Sequence, residues 1–375
     1  MKNPVYVEIC AGLGGTRAGL AQAGWECALA IDNDKQTATA HRFAFGDCDH
    51  ADARNLVVED IPSHDVLVAG FPCQPFSSSG LRTGFLHSKG NVFEAVVNVC
   101  THHSPAAVLL ENVRGILSNA YGHTFASVLA ALTAIDYHVA WAVIDAAYFG
   151  VPQSRPRVFI VASRNVKVHE VLRAHVRPVG EPSAISLADI LALREPRVGL
   201  RRPTPVTPFG SFGVASPGMC STWEKVTQPQ YDMLSALGEI VCPNFRHRSR
   251  VRSVRYWGHS GVTKPYFKAE AVAHCLGTNI GAGPTFGVER KYVSNKSSRA
   301  ALLENANWVR DEEDHVVFRL TPARAALLFG PFVEAIQGAL VAESCGITKQ
   351  YEMLGNMVSP EVARRLGVSV RDVLF

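Results

Sequence analysis

Between Met1 and about Ser163, six short apolar runs (VYVEICAG, ALAIDND, DVLVAGFPC, AAVLLENV, VAWAVIDAA and RVFIVAS) alternate with segments long enough for helices. Short buried strands separated by helix-length stretches predict βαβ units, because parallel neighbours need a crossover that covers the sheet. The expected fold is α/β, a doubly wound, mainly parallel sheet of the Rossmann-like type. In such a sheet ligands bind outside the carboxyl ends of the strands. The residues at those ends therefore come first in any reading of function.

Past this stretch the pattern changes. RRPTPVTPFGSFGVASPG is rich in Pro, Gly and Ser, and glycines and arginines interrupt every candidate helix. A second, smaller, irregular and β-rich domain is expected there. Helical periodicity returns in TPARAALLF and SPEVARRLGVSVRDVLF, each opened by a Ser/Thr-Pro pair that suits an N-cap and first turn. The expected division is residues 1–168, 169–325 and 326–375, the last segment returning to the first domain.

Composition narrows the class. With 375 residues, 47% hydrophobic and 19% charged, the chain can bury a sizeable core. No segment sustains the apolar length needed to span a bilayer, and the N-terminus lacks a signal-peptide pattern. A cytoplasmic protein without membrane contact is expected. Nine cysteines, an odd number with no CxxC pair, argue against a disulfide framework and a zinc ribbon, and no metal site is expected. A formal charge of +4 permits a nucleic-acid partner without requiring one.

The first strand ends in AGLGG, so Gly12, Gly14 and Gly15 open a helix where backbone can approach a ligand closely. About 20 residues on, as in nucleotide-binding α/β folds, the second strand ends with Asp32, placed to receive ribose hydroxyls. The turn lacks the GxGxxG spacing, which suits a ligand with a nucleoside and no pyrophosphate. After the next strand, GFPCQPFSSSG holds Cys73 between Pro72 and Pro75. LLENV then puts Glu111 and Asn112 on the same rim. A thiolate beside a proton-donating carboxyl suits covalent addition to an electron-poor ring.

AGLGG, GFPCQPFS, ENV, QSRPR and LGNMVSP stand in the order of the motifs of the C5-cytosine DNA methyltransferases, and the chain resembles a bacterial-type member of that family. The resemblance covers nearly all of the chain outside the middle domain. It implies methyl transfer from S-adenosylmethionine to carbon 5 of cytosine in double-stranded DNA, in a restriction-modification system or as a solitary modification enzyme. Cys73 would add to carbon 6, and Glu111 would hold protonated ring N3 and contact the exocyclic amine. Asn112 would support that loop, Arg157 would reach the base carbonyl, and Arg155 would brace the loop or a phosphate. For the cofactor the resemblance implies Glu8, Gly12, Leu13 and Gly14 around the methionine end, Asp32 on the ribose, Asp52 near the adenine amine and Asn356 at the pocket wall. Two residues depart from the family pattern: Cys10 stands where an aromatic is usual, and Arg324 where an acidic residue is common.

Since the target atom lies inside the stack, the base must be flipped out. The segment after Cys73 carries Ser77, Arg82 and Lys89 and suits a loop that closes over DNA phosphates. In the middle domain Arg246, Arg248, Arg250 and Arg252 fall at every second position, one face of a strand, suited to phosphates or guanine edges. The alternatives are an RNA cytosine methyltransferase on the same fold and a catalytically inactive DNA-binding regulator. The expected partners are double-stranded DNA and a cognate restriction endonuclease, with the enzyme acting as a monomer.

Overall fold

The computed structural model describes residues 3–72, 91–118, 122–153, 155–174, 212–215, 256–257, 263–264, 285–289, 306–312, 315–342 and 345–375. In chain order the first elements are β1 (Val5–Ile9), α1 (Gly15–Gln22), β2 (Glu26–Asp32), α2 (Lys35–Phe45), β3 (Asp49–His50) and β4 (Val66–Ala69). They are followed by α3 (Val92–His103), β5 (Ala107–Val113), α4 (His123–Ala134), β6 (His138–Asp145), β7 (Pro156–Ser163) and α5 (Val168–Ala174). Next come the strands β8 (Phe212–Ala215), β9 (Tyr256–Trp257), β10 (Thr263–Lys264), β11 (Thr285–Glu289), β12 (Ala306–Glu312) and β13 (His315–Leu320). The helices α6 (Pro322–Ala326), α7 (Glu334–Ala342), α8 (Ile347–Asn356) and α9 (Pro360–Leu374) complete the described elements.

The main sheet runs in the order β3-β2-β1-β4-β5-β7-β6-β8. β1, β2, β3, β4 and β5 pair in parallel, whereas β7 runs antiparallel between β5 and β6, and β8 is antiparallel to β6. The central parallel strands β1, β4 and β5 are largely apolar without alternation because helices cover both faces, whereas β3 and the first half of β2, at the sheet edge, are partly exposed. In β4, Leu67 and Ala69 face a core shared with α3 and α4, including Phe93, Val96, Phe125 and Leu129. Val66 and Val68 face the opposite core, shared with α1, α5 and α9. This is the doubly wound, mainly parallel sheet that the apolar runs predict. Between residues 212 and 320 the described residues are strands: β9 pairs with β10, and β13 lies between β11 and β12.

The C-terminal helices close the sheet. Leu20 of α1 and Val362, Leu366 and Val370 of α9 share one core with the strands. The two helices approach through small residues on both sides. A Cβ on Gly19 would lie 2.1 Å from the Pro360 carbonyl oxygen, and one on Gly367 would lie 2.7 Å from Leu20 Cδ2. Thr321 caps α6 as the Thr-Pro pair predicts, accepting from Arg324 N at 3.4 Å. Ser359 occupies the same position before α9 but makes no cap; its hydroxyl donates 3.1 Å to the Phe329 carbonyl. A buried carbonyl thirty residues earlier takes the hydroxyl that sequence alone would give to the helix.

Because backbone stands where a new methyl would go, Gly19→Ala is expected to lower stability by about 2–3 kcal/mol, the usual scale of overpacking. Urea unfolding would measure it. A loss below about 0.5 kcal/mol would show that α1 and α9 slide apart freely.

Candidate active site

The turn after β1 departs from ordinary backbone at three of five residues. Cys10 and Gly12 have φ of 58° and Gly14 has φ of 90°. Gly14 sits at the N-cap of α1 without any side-chain cap, leaving that helix start to backbone and whatever binds there. A Cβ on Gly14 would meet the Phe45 ring at 2.2 Å, whereas one on Gly12 would meet nothing within 4 Å. Gly14 is thus needed for packing, and Gly12 opens onto space. Cys10 holds a positive φ without being glycine, a conformation uncommon outside functional sites. Burial, reinforced by Asp32, Asp52 and Glu8, pushes its thiol up to about 12. It is a neutral thiol at physiological pH.

Three carboxyl groups border this turn. Asp32, at the end of β2, accepts from Gly12 N through Oδ2 and from Asp34 N through Oδ1, both at 2.9 Å. It is buried, and burial raises its carboxyl above the usual range despite those hydrogen bonds. Asp52 lies further out, capping the short turn at 53–55 and pairing with Arg54, which holds its carboxyl below the usual range. Glu8, inside β1, is only 2% exposed. Its Oε2 is buried without a hydrogen-bond partner among the described residues. Burial pushes the Glu8 carboxyl up to about 8, with the Thr16 hydroxyl and Arg17 pulling the other way. Leu13 is fully packed into the core beside α2 and α7.

The second half of the site forms where β4, β5 and β7 meet. Glu111 of β5 lies opposite Phe159, so Arg157, two residues along β7, is its diagonal neighbour on the same face. Arg157 Nε is 3.1 Å from Glu111 Oε1. Burial raises the Glu111 carboxyl, although Arg157 and Arg155 oppose it. The group therefore takes a proton more readily than a surface glutamate. Asn112 Nδ2 donates 2.9 Å to the Phe71 carbonyl, two residues before Cys73. A Cβ on Gly70 would lie 3.7 Å from the Cys10 carbonyl oxygen and 3.8 Å from Glu111 Oε2. The carboxyl ends of β1, β4 and β5 thus converge at Gly70, at the switch point where an open sheet binds its ligand.

Arg155 does not face this rim. It is 2% exposed, its Nη2 donates 2.6 Å to the Gly355 carbonyl, and its guanidinium lies 4.9 Å from the Phe329 ring centroid. It ties β7 to the end of α8. Asn356, the last residue of α8, is exposed beside that tie. A Cβ on Gly15 would lie 2.0 Å from the Val358 carbonyl oxygen, so the 356–358 segment floors the glycine turn. Arg324 lies in the first turn of α6, away from this rim. Cys73, Ser77, Arg82, Lys89, Arg246, Arg248, Arg250 and Arg252 lie outside the described residues.

Sequence reasoning passed over two participants. His41 of α2 is fully buried and its Nδ1 donates to the Gly12 carbonyl at 3.0 Å. Lys349 of α8 reaches Asp34 at 2.9 Å, beside Asp32. Neither belongs to a motif; only the packing of α2 and α8 around the turn brings them there.

The family described as C-5 cytosine-specific DNA methylase matches residues 5–191. Residues 5–191 belong to this family. That methylase stretch contains the glycine turn, Asp32, the Gly70 loop, Glu111 and Arg157. The Type II methyltransferase M.BsuFI of Bacillus subtilis is 40% identical over 156 residues, 42% of this chain and 38% of its own length. M.DsaV of Dactylococcopsis salina is 34% identical over 178 residues, 48% of this chain and 51% of its own. M.HhaI of Haemophilus parahaemolyticus is 34% identical over 160 residues, 43% and 49%. The chain thus matches about half or less of the length of these relatives. Among solved structures, S. pombe Dnmt2 methyltransferase superposes with a TM-score of 0.60 at 18% identity, covering 100% of both chains. The Entamoeba histolytica methyltransferase EhMeth gives 0.57 at 13% identity, covering 99% of each. At such identities the likeness is one of fold, and it extends over the whole chain.

The buried Glu8 sets a pH dependence. Its carboxyl stays protonated in the folded protein up to about pH 8 but ionises near 4.5 when unfolded, so its contribution to stability is full below the unfolded value and is lost progressively as pH rises through 8. Glu8→Gln is expected to remove that alkaline decline, leaving the ligand-free protein more stable at pH 9 on the order of 2 kcal/mol. Chemical unfolding at pH 6 and pH 9 measures it; an identical decline in the variant would assign the effect to other groups.

Proposed function

We propose that this chain transfers a methyl group from S-adenosylmethionine to carbon 5 of a flipped cytosine in a short, specific double-stranded DNA sequence. The supporting observation is the convergence at Gly70 of an open glycine turn with acidic neighbours and a buried, proton-avid Glu111 paired to Arg157.

The β1–α1 turn fits the cofactor. Gly12 leaves open space, Asp32 is held by backbone at the end of β2, and the buried Glu8 Oε2 has no hydrogen-bond partner among the described residues. Glu8, Gly12, Leu13 and Gly14 would border the amino-acid end, Asp32 would accept from the ribose hydroxyls, and Asn356 would stand at the wall. Asp52 would reach the adenine amine on exchanging part of its pairing with Arg54. When bound, S-adenosylmethionine supplies a methyl group on a sulfonium, an electrophile that carbon 5 of unactivated cytosine does not attack.

The residues of the chain supply that activation. Cys73, on the loop that begins at Gly70, adds as thiolate to carbon 6, forming the S–C6 bond while the displaced ring electrons are stabilised at N3. Glu111 donates its proton to N3, and the high proton affinity that burial gives it fits this role. Arg157 fixes the carboxyl from one side and would contact the base carbonyl. Asn112 braces the backbone leading to the thiol. Carbon 5, now nucleophilic, takes the methyl group; transfer of its proton to water and expulsion of the Cys73 thiolate restore the aromatic ring, and N3 returns its proton to Glu111. Arg155 braces the loop indirectly, through Gly355.

Residues 169–325 would read the sequence, with Arg246, Arg248, Arg250 and Arg252 on phosphates or guanine edges and Ser77, Arg82 and Lys89 closing over the target strand. A restriction-modification setting with a cognate endonuclease, a monomeric enzyme and a cytoplasmic location accord with this reading. Among the described residues no helix is long and apolar enough to cross a membrane.

The test is bisulfite sequencing of DNA from a methylation-free bacterial host expressing the protein. Protected cytosines should appear in one short context and vanish in Cys73→Ser. Glu111→Gln should lower kcat by about a hundredfold or more while the protein stays folded. Full activity in Cys73→Ser would refute the covalent route. No protected cytosine with folded wild-type protein would refute the DNA reading, and methylated transcripts in that host would then favour RNA.

A further inference from the structure

The helix that floors the glycine turn is tied to the chain at both ends. At its C-terminal end Arg155 holds the Gly355 carbonyl. At its N-terminal end Lys349 Nζ lies 2.9 Å from Asp34 Oδ2 and 2.8 Å from Glu352 Oε1. Asp34 is also the N-cap of α2, its Oδ1 accepting from Thr37 N and Thr37 Oγ1, each at 2.8 Å. Its backbone N–H donates to Asp32 Oδ1. Two carboxylates therefore sit one turn apart at the end of β2, and the ammonium of Lys349 lies against the outer one.

We propose that Lys349 is a positioning residue for the cofactor: by neutralising Asp34 across the gap between α8 and α2, it keeps the Asp32 carboxylate ionised and aimed at the sugar hydroxyls. The inference rests on the reading of this crevice as the S-adenosylmethionine site. The charges acting on Asp32 come from several elements: Asp34 from the β2–α2 turn, Lys349 from α8, Glu8 from β1, Cys10 from the turn after it, and Cys48 from the segment before β3. Burial above all, then the Asp34 charge, favours the protonated form of Asp32; the backbone N–H groups of Asp34 and Gly12 oppose it, and Lys349 adds to them. The Cys10 and Cys48 thiols, pushed up to about 12, carry no charge near neutrality. Glu8 titrates near 8, in wild type and variant alike, so it cancels when the two are compared.

The ionised Asp32 offers acceptors on both oxygens, whereas the protonated form turns one of them into a donor. Without Lys349 the bare Asp34 charge raises the proton affinity of Asp32, and the fraction able to bind falls as pH falls. Removing a partner from a pair this close to solvent changes such interactions by several-fold rather than by orders of magnitude.

The experiment is isothermal titration of S-adenosylhomocysteine at pH 8 and pH 6. This probe lacks the sulfonium charge, so long-range attraction of a cation by Asp34 does not enter. Lys349→Met should raise Kd about fivefold at pH 6, and by less at pH 8. Asparagine caps a helix as well as aspartate does, so the Lys349→Met/Asp34→Asn pair should bring Kd back to within about twofold of wild type at both pH values. Wild-type affinity in Lys349→Met would overturn the inference. A pH-independent loss that the second substitution does not relieve would also overturn it, leaving Lys349 a tie between helices. Failure of wild-type protein to bind the probe at all would refute the cofactor reading itself, and this inference with it.

Discussion

The seating of α9 on α1 is the contact on which the rest of the molecule depends. β1 lies in the middle of the sheet, and one of its faces is covered by helices from residues 15–22 and 360–374 together. Glycine on each helix allows a separation that any side chain would prevent. Once α9 is fixed, the 356–358 segment lies under the glycine turn, and Arg155, Lys349 and Ser359 reach their partners. The site is therefore built from both ends of the described chain. Each polar tie across it spans a large separation in sequence and holds only because the apolar contact behind it is already made.

Much of this was legible in the sequence. The apolar runs at β1, β2, β4, β5, β6 and β7 are strands because both sheet faces are covered, so no polar alternation blurs them. The residues at their carboxyl ends, Glu8 through Gly14, Asp32, Gly70 and Glu111, could be picked out because strand ends and glycine turns have positional meaning, whereas Arg157 stands at the amino end of β7. The antiparallel course of β7 could not: a buried strand reads the same in either direction. The Glu111–Arg157 pair depends on that course and on the β5–β7 register, so pairing was visible only after folding. Ser359 illustrates the limit from the other side. Local chemistry made it a cap like Thr321, and a carbonyl thirty residues distant in sequence claimed its hydroxyl instead. His41 and Lys349 carried no local signal, since an amphipathic helix places many such residues and only tertiary packing selects among them.

The acids at the strand ends show how one sheet can run different chemistry at adjacent positions. Asp32, Glu111 and Glu8 are all desolvated, which favours the protonated form of each. What differs is the compensation. Two backbone N–H groups and a nearby lysine support the ionised form of Asp32, which suits an acceptor of hydroxyls. Glu111 has a guanidinium on one oxygen while its other oxygen faces the β4 loop. Glu8 has the least compensation and is pushed to about 8. A group left in that state destabilises the empty protein at high pH and is relieved when a cation or hydrogen-bond donor arrives beside it. The instability stored at Glu8 is thus part of what a bound ligand recovers. That coupling would explain why a core position in β1 holds a carboxylate where packing alone would favour another valine or isoleucine.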